Sequence, residues 1–217
     1  RWARASFWVF GVLGAAGGTE GDDEGRVPAG LVPMAVAAAL ATAAAITLGG
    51  FFVESAIDAG VSAGTAGVVF SVGSVISIDV RLGVGAIADR RRGDLLEVVA
   101  VMVGLGALTS LWFTWRTPAA QLIGVPLAFG AGWAWPGLFN LSVVRAAPEV
   151  PGRATGVTQT GNYVGGASGP LLFGWIAETW SYTAAWWLAA VLGALACGAV
   201  LVGRAMLRRE APAPAPS

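Results

Sequence analysis

Long apolar runs alternate with short breaks that carry most of the charge. The runs cover about Leu31 to Ala56, Ser62 to Ala88, Leu95 to Trp115, Ala119 to Val144, Ala154 to Ala177 and Thr183 to Leu207. A helix of about 20 residues crosses the apolar core of a bilayer. Each run meets that length, so the pattern predicts an all-α membrane protein, a bundle of six transmembrane helices over residues 31–207. Pro126 and Pro136 fall in the fourth helix and Pro170 in the fifth. A further apolar run, residues 5–18, is too short to span and stops at TEGDDEGR. Residues 1–18 are expected to be a truncated membrane helix and 19–30 an acidic, Gly-rich linker. Residues 208–217, ending in APAPAPS, are expected to be a disordered tail.

Composition supports a membrane protein. The chain is 56% hydrophobic and only 12% charged, about half the charge of a soluble domain, and its mean hydropathy is +0.70. Thirty-two glycines and ten tryptophans suit a membrane helix bundle and its interfaces. The formal net charge is zero, and nothing points to a nucleic-acid partner. With no His and one Cys, Ser–His, Cys–His and His/Cys zinc chemistry are excluded, and an enzyme is not expected. No cofactor or metal is implied. Cys197 lies in an apolar run as a small packing residue.

The arginines orient the bundle. Six spans place both ends on one side. Arg26, Arg90, Arg91, Arg92, Arg145, Arg153, Arg204, Arg208 and Arg209 fall on that side; the opposite loops of the main body hold only Arg116, with Asp58 and Glu178. The positive-inside rule makes the Arg-rich loops and the C-terminus cytoplasmic, in a multi-pass protein of the plasma (inner) membrane. Trp112, Trp115, Trp180, Trp186 and Trp187 are expected to form a belt at the outer interface.

Polar groups inside the runs are the candidate site. Thr155, Gln159, Asn162 and Gly166 form one stripe of the fifth helix, flanked by Tyr163. Amides facing lipid would be costly, so the stripe must face protein or a water-filled cavity. Trp133, Gly137 and Asn140 share a face of the fourth helix. Thr47 and Phe51 of the first helix complete the expected path. The alternative is hydrogen bonding that only fastens the bundle. Gly161, Gly165 and Gly169, spaced by four, make a flat face for close helix approach beside the Pro170 kink. That face is expected either to pack statically or to slide and bend. Asp79 lies near mid-bilayer, ten residues before Asp89. A carboxylate there is costly unless it is paired, protonated or wet. It either binds a proton or cationic group, or pairs with an Arg of another helix. Arg81, nearer the surface, can snorkel. Glu54 is expected at the outer interface.

The run GAIADRRRG (85–93) resembles the G-x-L-a-D-R-x-G-R loop motif of the major facilitator superfamily, with Arg92 where the family has glycine. GNYVGGASGPLLFGW (161–175) resembles that family's Gly-rich, GP-containing helices 5 and 11. RAAPEVPGRATGVTQTG (145–161) looks like the loop into helix 11. The resemblance covers about residues 31–207 and looks most like drug, cyanate or organic-anion permeases. It implies helices 7–12, the C-terminal half of a twelve-helix transporter. ASFWVFGVLGA (5–15) aligns with AAWWLAAVLGA (184–194), as the start of helix 6 would with helix 12. The implied partners are a small-molecule solute, a proton, the lipid bilayer and an absent N-terminal six-helix half. The implied function is alternating-access transport about a midplane site. Asp79 would be the protonatable group, and Arg81, Gly85, Asp89, Arg90, Arg91 and Arg92 a gating loop motif. The alternative is a six-helix membrane protein without transport activity, a structural or interaction partner or an inactive fragment.

Overall fold

A computed structural model describes residues 28–90 and 94–210 of the chain. The expected helix remnant and almost all of the acidic linker lie outside the described residues, as do Arg91, Arg92 and residues 211–217 of the expected tail; its first residues, 208–210, instead continue the last helix. The elements are α1 (Leu31–Asp58), α2 (Ala63–Arg90), α3 (Leu95–Phe113), α4 (Pro118–Leu127), a π-helical segment (Ala128–Gly132), α5 (Pro136–Ala146), α6 (Pro151–Thr179) and α7 (Tyr182–Glu210). They make six antiparallel rods, because α4, the π segment and α5 follow one another along a single path. Five rods are long and apolar enough to cross a membrane. The sixth, α6, has 29 residues but carries Thr155, Thr158, Gln159, Thr160, Asn162 and Ser168. Its composition, not its length, sets it apart.

Local chemistry fixes the ends. Asp94 caps α3 by accepting from the Leu96 N–H at 3.0 Å. Thr117 caps α4 by accepting from the Ala120 N–H at 3.2 Å, and Pro118 follows at the first helical position, where its missing N–H costs nothing. After α1, Gly60 adopts φ +94°. The Gly60 N–H donates to the Ile57 carbonyl and the Val61 N–H to that of Ala56, which closes the helix in a Schellman turn. Buried Val61 is its apolar seal.

The fourth rod is not the continuous helix that its hydropathy predicts. Pro126 cannot donate to the ladder, and the chain widens into the π segment two residues later. Pro136 restarts it after a turn at 133–135. The backbones also meet here. A Cβ on Gly106 of α3 would lie 2.8 Å from Gly132 Cα. The proline interruptions and this glycine contact hold the break against α3.

Helix α1 is central, packed against α6 and α7; α7 also packs on α3. Two apolar clusters fill the interior. One lies toward the Arg-rich end, around Met34, Val99, Trp135 and Phe139. The other lies toward the opposite end, around Phe52, Phe113, Phe129, Phe173 and Trp186. Trp186 is fully buried, and its Nε1 donates to Ser55 Oγ at 2.7 Å. It belongs to the core and not to the expected belt, because that hydroxyl satisfies the indole inside the bundle. Trp112, Trp115, Trp180 and Trp187 are exposed. Helix α2 sits at the edge, with only 11% of its apolar window buried.

Candidate functional site

A line of contacts, polar at its two ends and apolar between them, crosses four rods near mid-depth. On α6, the Asn162 amide nitrogen donates to Gln159 Oε1. The Thr42 hydroxyl of α1 donates to Asn162 Oδ1 at 2.7 Å. One turn along α1, Ile46 meets Gly166, and two turns along, Gly49 lies under the Trp133 indole. Trp133 belongs to the break between the π segment and α5. Its carbonyl accepts from an Arg81 NH2 of α2 at 2.6 Å. At 1.5 Å per residue, Thr42, Asn162, Trp133 and Arg81 lie about 14 to 20 Å from the Arg-rich ends of their rods. That is near mid-membrane. All four are half-buried or exposed, so the line is reachable from one side of the bundle.

Each contact has a local cause. Side chains on a helix lean toward its N-terminus, so Arg81 reaches back toward the centre instead of along α2 to the boundary. A broken ladder leaves carbonyls without helical donors, and Trp133 offers one there. Trp133 itself is held by ring contacts with Phe129 (centroids 5.2 Å) and Phe70 (6.4 Å). Gly49 gives the indole room: a Cβ there would lie 3.0 Å from the ring. Close packing of α6 on α1 fixes the Thr42–Asn162 bond. A Cβ on Gly161, Gly165 or Gly169 would lie 2.1, 2.0 or 2.6 Å from the carbonyl oxygens of Ala35, Ala39 and Ala43.

Residues 34–217 match the family model of the Major Facilitator Superfamily. The chain belongs to the major facilitator superfamily. It is a multi-pass membrane protein of a family that moves solutes across membranes. No curated protein and no solved structure matches it.

The structure of this major facilitator chain brings some of the expected site residues together and leaves others apart. Gln159, Asn162 and Trp133 lie on the mid-depth line. Thr47 does not reach it: the residue is buried, and its hydroxyl donates to the Ala44 carbonyl at 2.6 Å. Phe51 continues the α1–α6 seam, stacked 4.9 Å from Phe173. Tyr163 is exposed beside Asn162. Asn140 turns inward, with Oδ1 buried and without a hydrogen-bond partner among the described residues. Asp79 is exposed and shows no ion pair among the described residues; the alternative pairing with an arginine is not formed here. Gly85 has nothing beneath it within 4 Å. Asp89 and Arg90 end α2. Pro170 sits inside α6, one residue past the last seam glycine.

Two ionic clusters escaped the sequence reading, because their members are far apart in the chain. At the Arg-rich end, Arg204 donates to Asp94 at 2.6 Å and to Glu97 at 2.7 Å, and Arg208 reaches Asp94 at 2.7 Å. Asp94, Arg204 and Arg208 border a cleft of about 300 Å³ that Arg145 also lines. Burial acts to raise the Asp94 pKa. The hydrogen bond and charge of Arg204, the Leu96 N–H and the charge of Arg208 outweigh it and hold the carboxyl below its usual 3.8. At the opposite end, Arg116 pairs with Asp58 and lies 5.6 Å above the Tyr182 ring. Tyr182 Oη donates to Glu54 at 3.4 Å. Arg116 has φ +46°, and its guanidinium ties the loop before α4 to α1 and α7. Thr42 was legible only as a threonine inside an apolar run.

Proposed function

We propose that this chain is one half of a secondary transporter, helices 7–12, which moves a small solute by alternating access. The mid-depth line carries the proposal. A bundle that needed only fastening has no use for half-exposed amides and a guanidinium at the centre of a membrane, where each is costly. A solute path does. The broken fourth rod supports the same conclusion, since interrupted helices recur at transporter sites. The thinly covered α2 and the outer face of α6 are the surfaces a second six-helix half would close. The Arg-rich loops then face the cytoplasm, in the inner membrane. Gln159, Asn162, Trp133 and Asn140 line the path, with Tyr163 at its edge, and α6 bends at Pro170.

Asp79 stands about 16 Å from the Arg90 end of α2, without an ion pair among the described residues, and is the protonatable group of the proposal. Reconstitution of the chain joined to a second six-helix half, in proteoliposomes with an imposed pH gradient, tests it. Uptake of a labelled solute is expected to follow the gradient, and Asp79→Asn to abolish the pH drive. Unchanged pH-driven uptake in that variant removes Asp79 from the mechanism. Absence of gradient-dependent uptake across a broad solute panel removes proton coupling altogether.

A further inference from the structure

We infer that the Arg81 guanidinium is the binding anchor for the negative charge of the solute, so that the carried solute is a small anion, in the simplest case a carboxylate. The inference rests on the transporter reading above and adds a substrate class to it.

Arginine keeps its charge in any protein environment, and its planar group offers five N–H donors. One nitrogen of Arg81 is committed to the Trp133 carbonyl. That oxygen is a dipole and carries no countercharge. Among the described residues no carboxylate pairs with Arg81. Asp79, two positions earlier, points to a different side of α2, because positions two apart on a helix do not face each other. A fixed positive charge therefore stands near mid-membrane with its donors only partly used. Such a charge is retained where a negative partner or water reaches it. The residue is exposed, so a solute can reach it too.

The surroundings are built for a polar ligand rather than for packing alone. Ser77 lies one turn before Arg81, on the same face of α2. It is 3% exposed, and its Oγ has no partner among the described residues. Its neighbours Ile76 and Val80 rest on Gly130 of the π segment, so the hydroxyl is held at the same junction as the Arg81–Trp133 bond. The Trp133 ring, braced by Phe70 and Phe129, adds an apolar wall. A carboxylate meets Arg in two parallel N–H···O bonds, which a neutral amide of the same shape cannot match in charge.

Arg81 could instead serve only to cap the broken backbone at Trp133. Charge-matched ligand pairs separate the two roles. The purified full chain in lipid nanodiscs is titrated at constant ionic strength with formate, acetate and benzoate and with their neutral amides. At least one carboxylate is expected to bind tenfold or more tightly than its amide. Arg81→Gln, which keeps an N–H donor but no charge, is expected to erase that preference. Arg81→Lys, which keeps the charge but loses the paired donors, is expected to reduce the preference without erasing it. If Arg81→Gln does not fold, a preference that is undiminished in Arg81→Lys overturns the inference. So does a preference that survives in Arg81→Gln, or its absence for all three pairs in the wild type. A cap-only role lowers the melting temperature in Arg81→Gln and leaves the ligand preference alone. Parallel uptake assays on the chain joined to a second six-helix half keep the two ideas apart. Anion binding without uptake of any solute sinks the transporter reading and spares the anchor. Uptake of neutral solutes that is untouched by Arg81→Gln does the reverse.

Discussion

Helices α6 and α2 are both rich in glycine, and they use it in opposite ways. Under α6 the glycines at 161, 165 and 169 rest on the backbone of α1, with no room for a methyl group at any of them. On α2, Gly64, Gly67, Gly83 and Gly85 have nothing within 4 Å, and only Gly73 is covered, by Phe129 and Val125. The first set is a seam and the second an open edge. A glycine removes a side chain in both places. Only where a second helix moves into the space does the loss become close packing. Elsewhere it is merely a cost in backbone entropy. The seam therefore holds α1 and α6 together as one unit and sets the Thr42–Asn162 bond at mid-depth. The open edge leaves α2 more thinly packed, resting on the π segment, α1, α4 and α5 and tied by the Arg81 bond.

The sharpest way to break this contrast is at the seam. Gly165→Ala drives a Cβ into the Ala39 carbonyl, which can move only with the whole of α1. Stability should fall by about 3 kcal/mol, read as a lower melting temperature in detergent. A near-neutral result would mean that α6 does not lie this close to α1. Next in size is the bond that the seam positions. Thr42→Val keeps shape and removes the hydroxyl, and should cost about 1 kcal/mol. The paired variant Thr42→Val with Asn162→Leu should cost less than the sum of the two single changes, since they share that bond.

A smaller effect is expected outside both regions. Asp94 has its folded pKa depressed. Its contribution is therefore present above the usual carboxylate range and is lost as pH falls through the folded value, below about 3.8. Acid should loosen α3 from α7, where Arg204 and Arg208 meet Asp94, and leave the uncharged seam intact. Asp94→Asn, which still caps α3, should flatten that part of the pH dependence of melting. The smallest effect belongs to the open edge. Gly67→Ala on α2 should raise stability by about 0.5 to 1 kcal/mol, through backbone entropy alone. A marked loss there would show that something covers this face of α2.

Much of this architecture was legible in the chain. The rods begin and end within a few residues of their apolar runs, because length and hydropathy are local properties. The fourth rod was the exception. Pro126 and Pro136 marked a disturbance, but a proline can be absorbed as a kink, and the contact of Gly132 with Gly106 is invisible in either segment alone. The candidate site was half legible. Gln159 and Asn162 stood out as amides in an apolar context, and Trp133 as an aromatic beside a proline. Thr47 was expected on the path and Thr42 was not, although both are threonines in the same apolar run. Their helical phase relative to α6 separates them: Thr42 meets Asn162, while Thr47 turns onto its own backbone.

The sequence by itself determined the class of protein. Its hydropathy demanded membrane helices, its arginines gathered at one end, and its motifs pointed to the superfamily that the comparison then established. Only the tertiary structure decided which helix fills the glycine face, that Trp186 is core, and that Arg81 bonds a broken backbone across from it. The reason is physical. Burial and helix formation follow from neighbours along the chain. A hydrogen bond or a steric fit between residues 42 and 162, or 81 and 133, depends on where two separate helices come to rest.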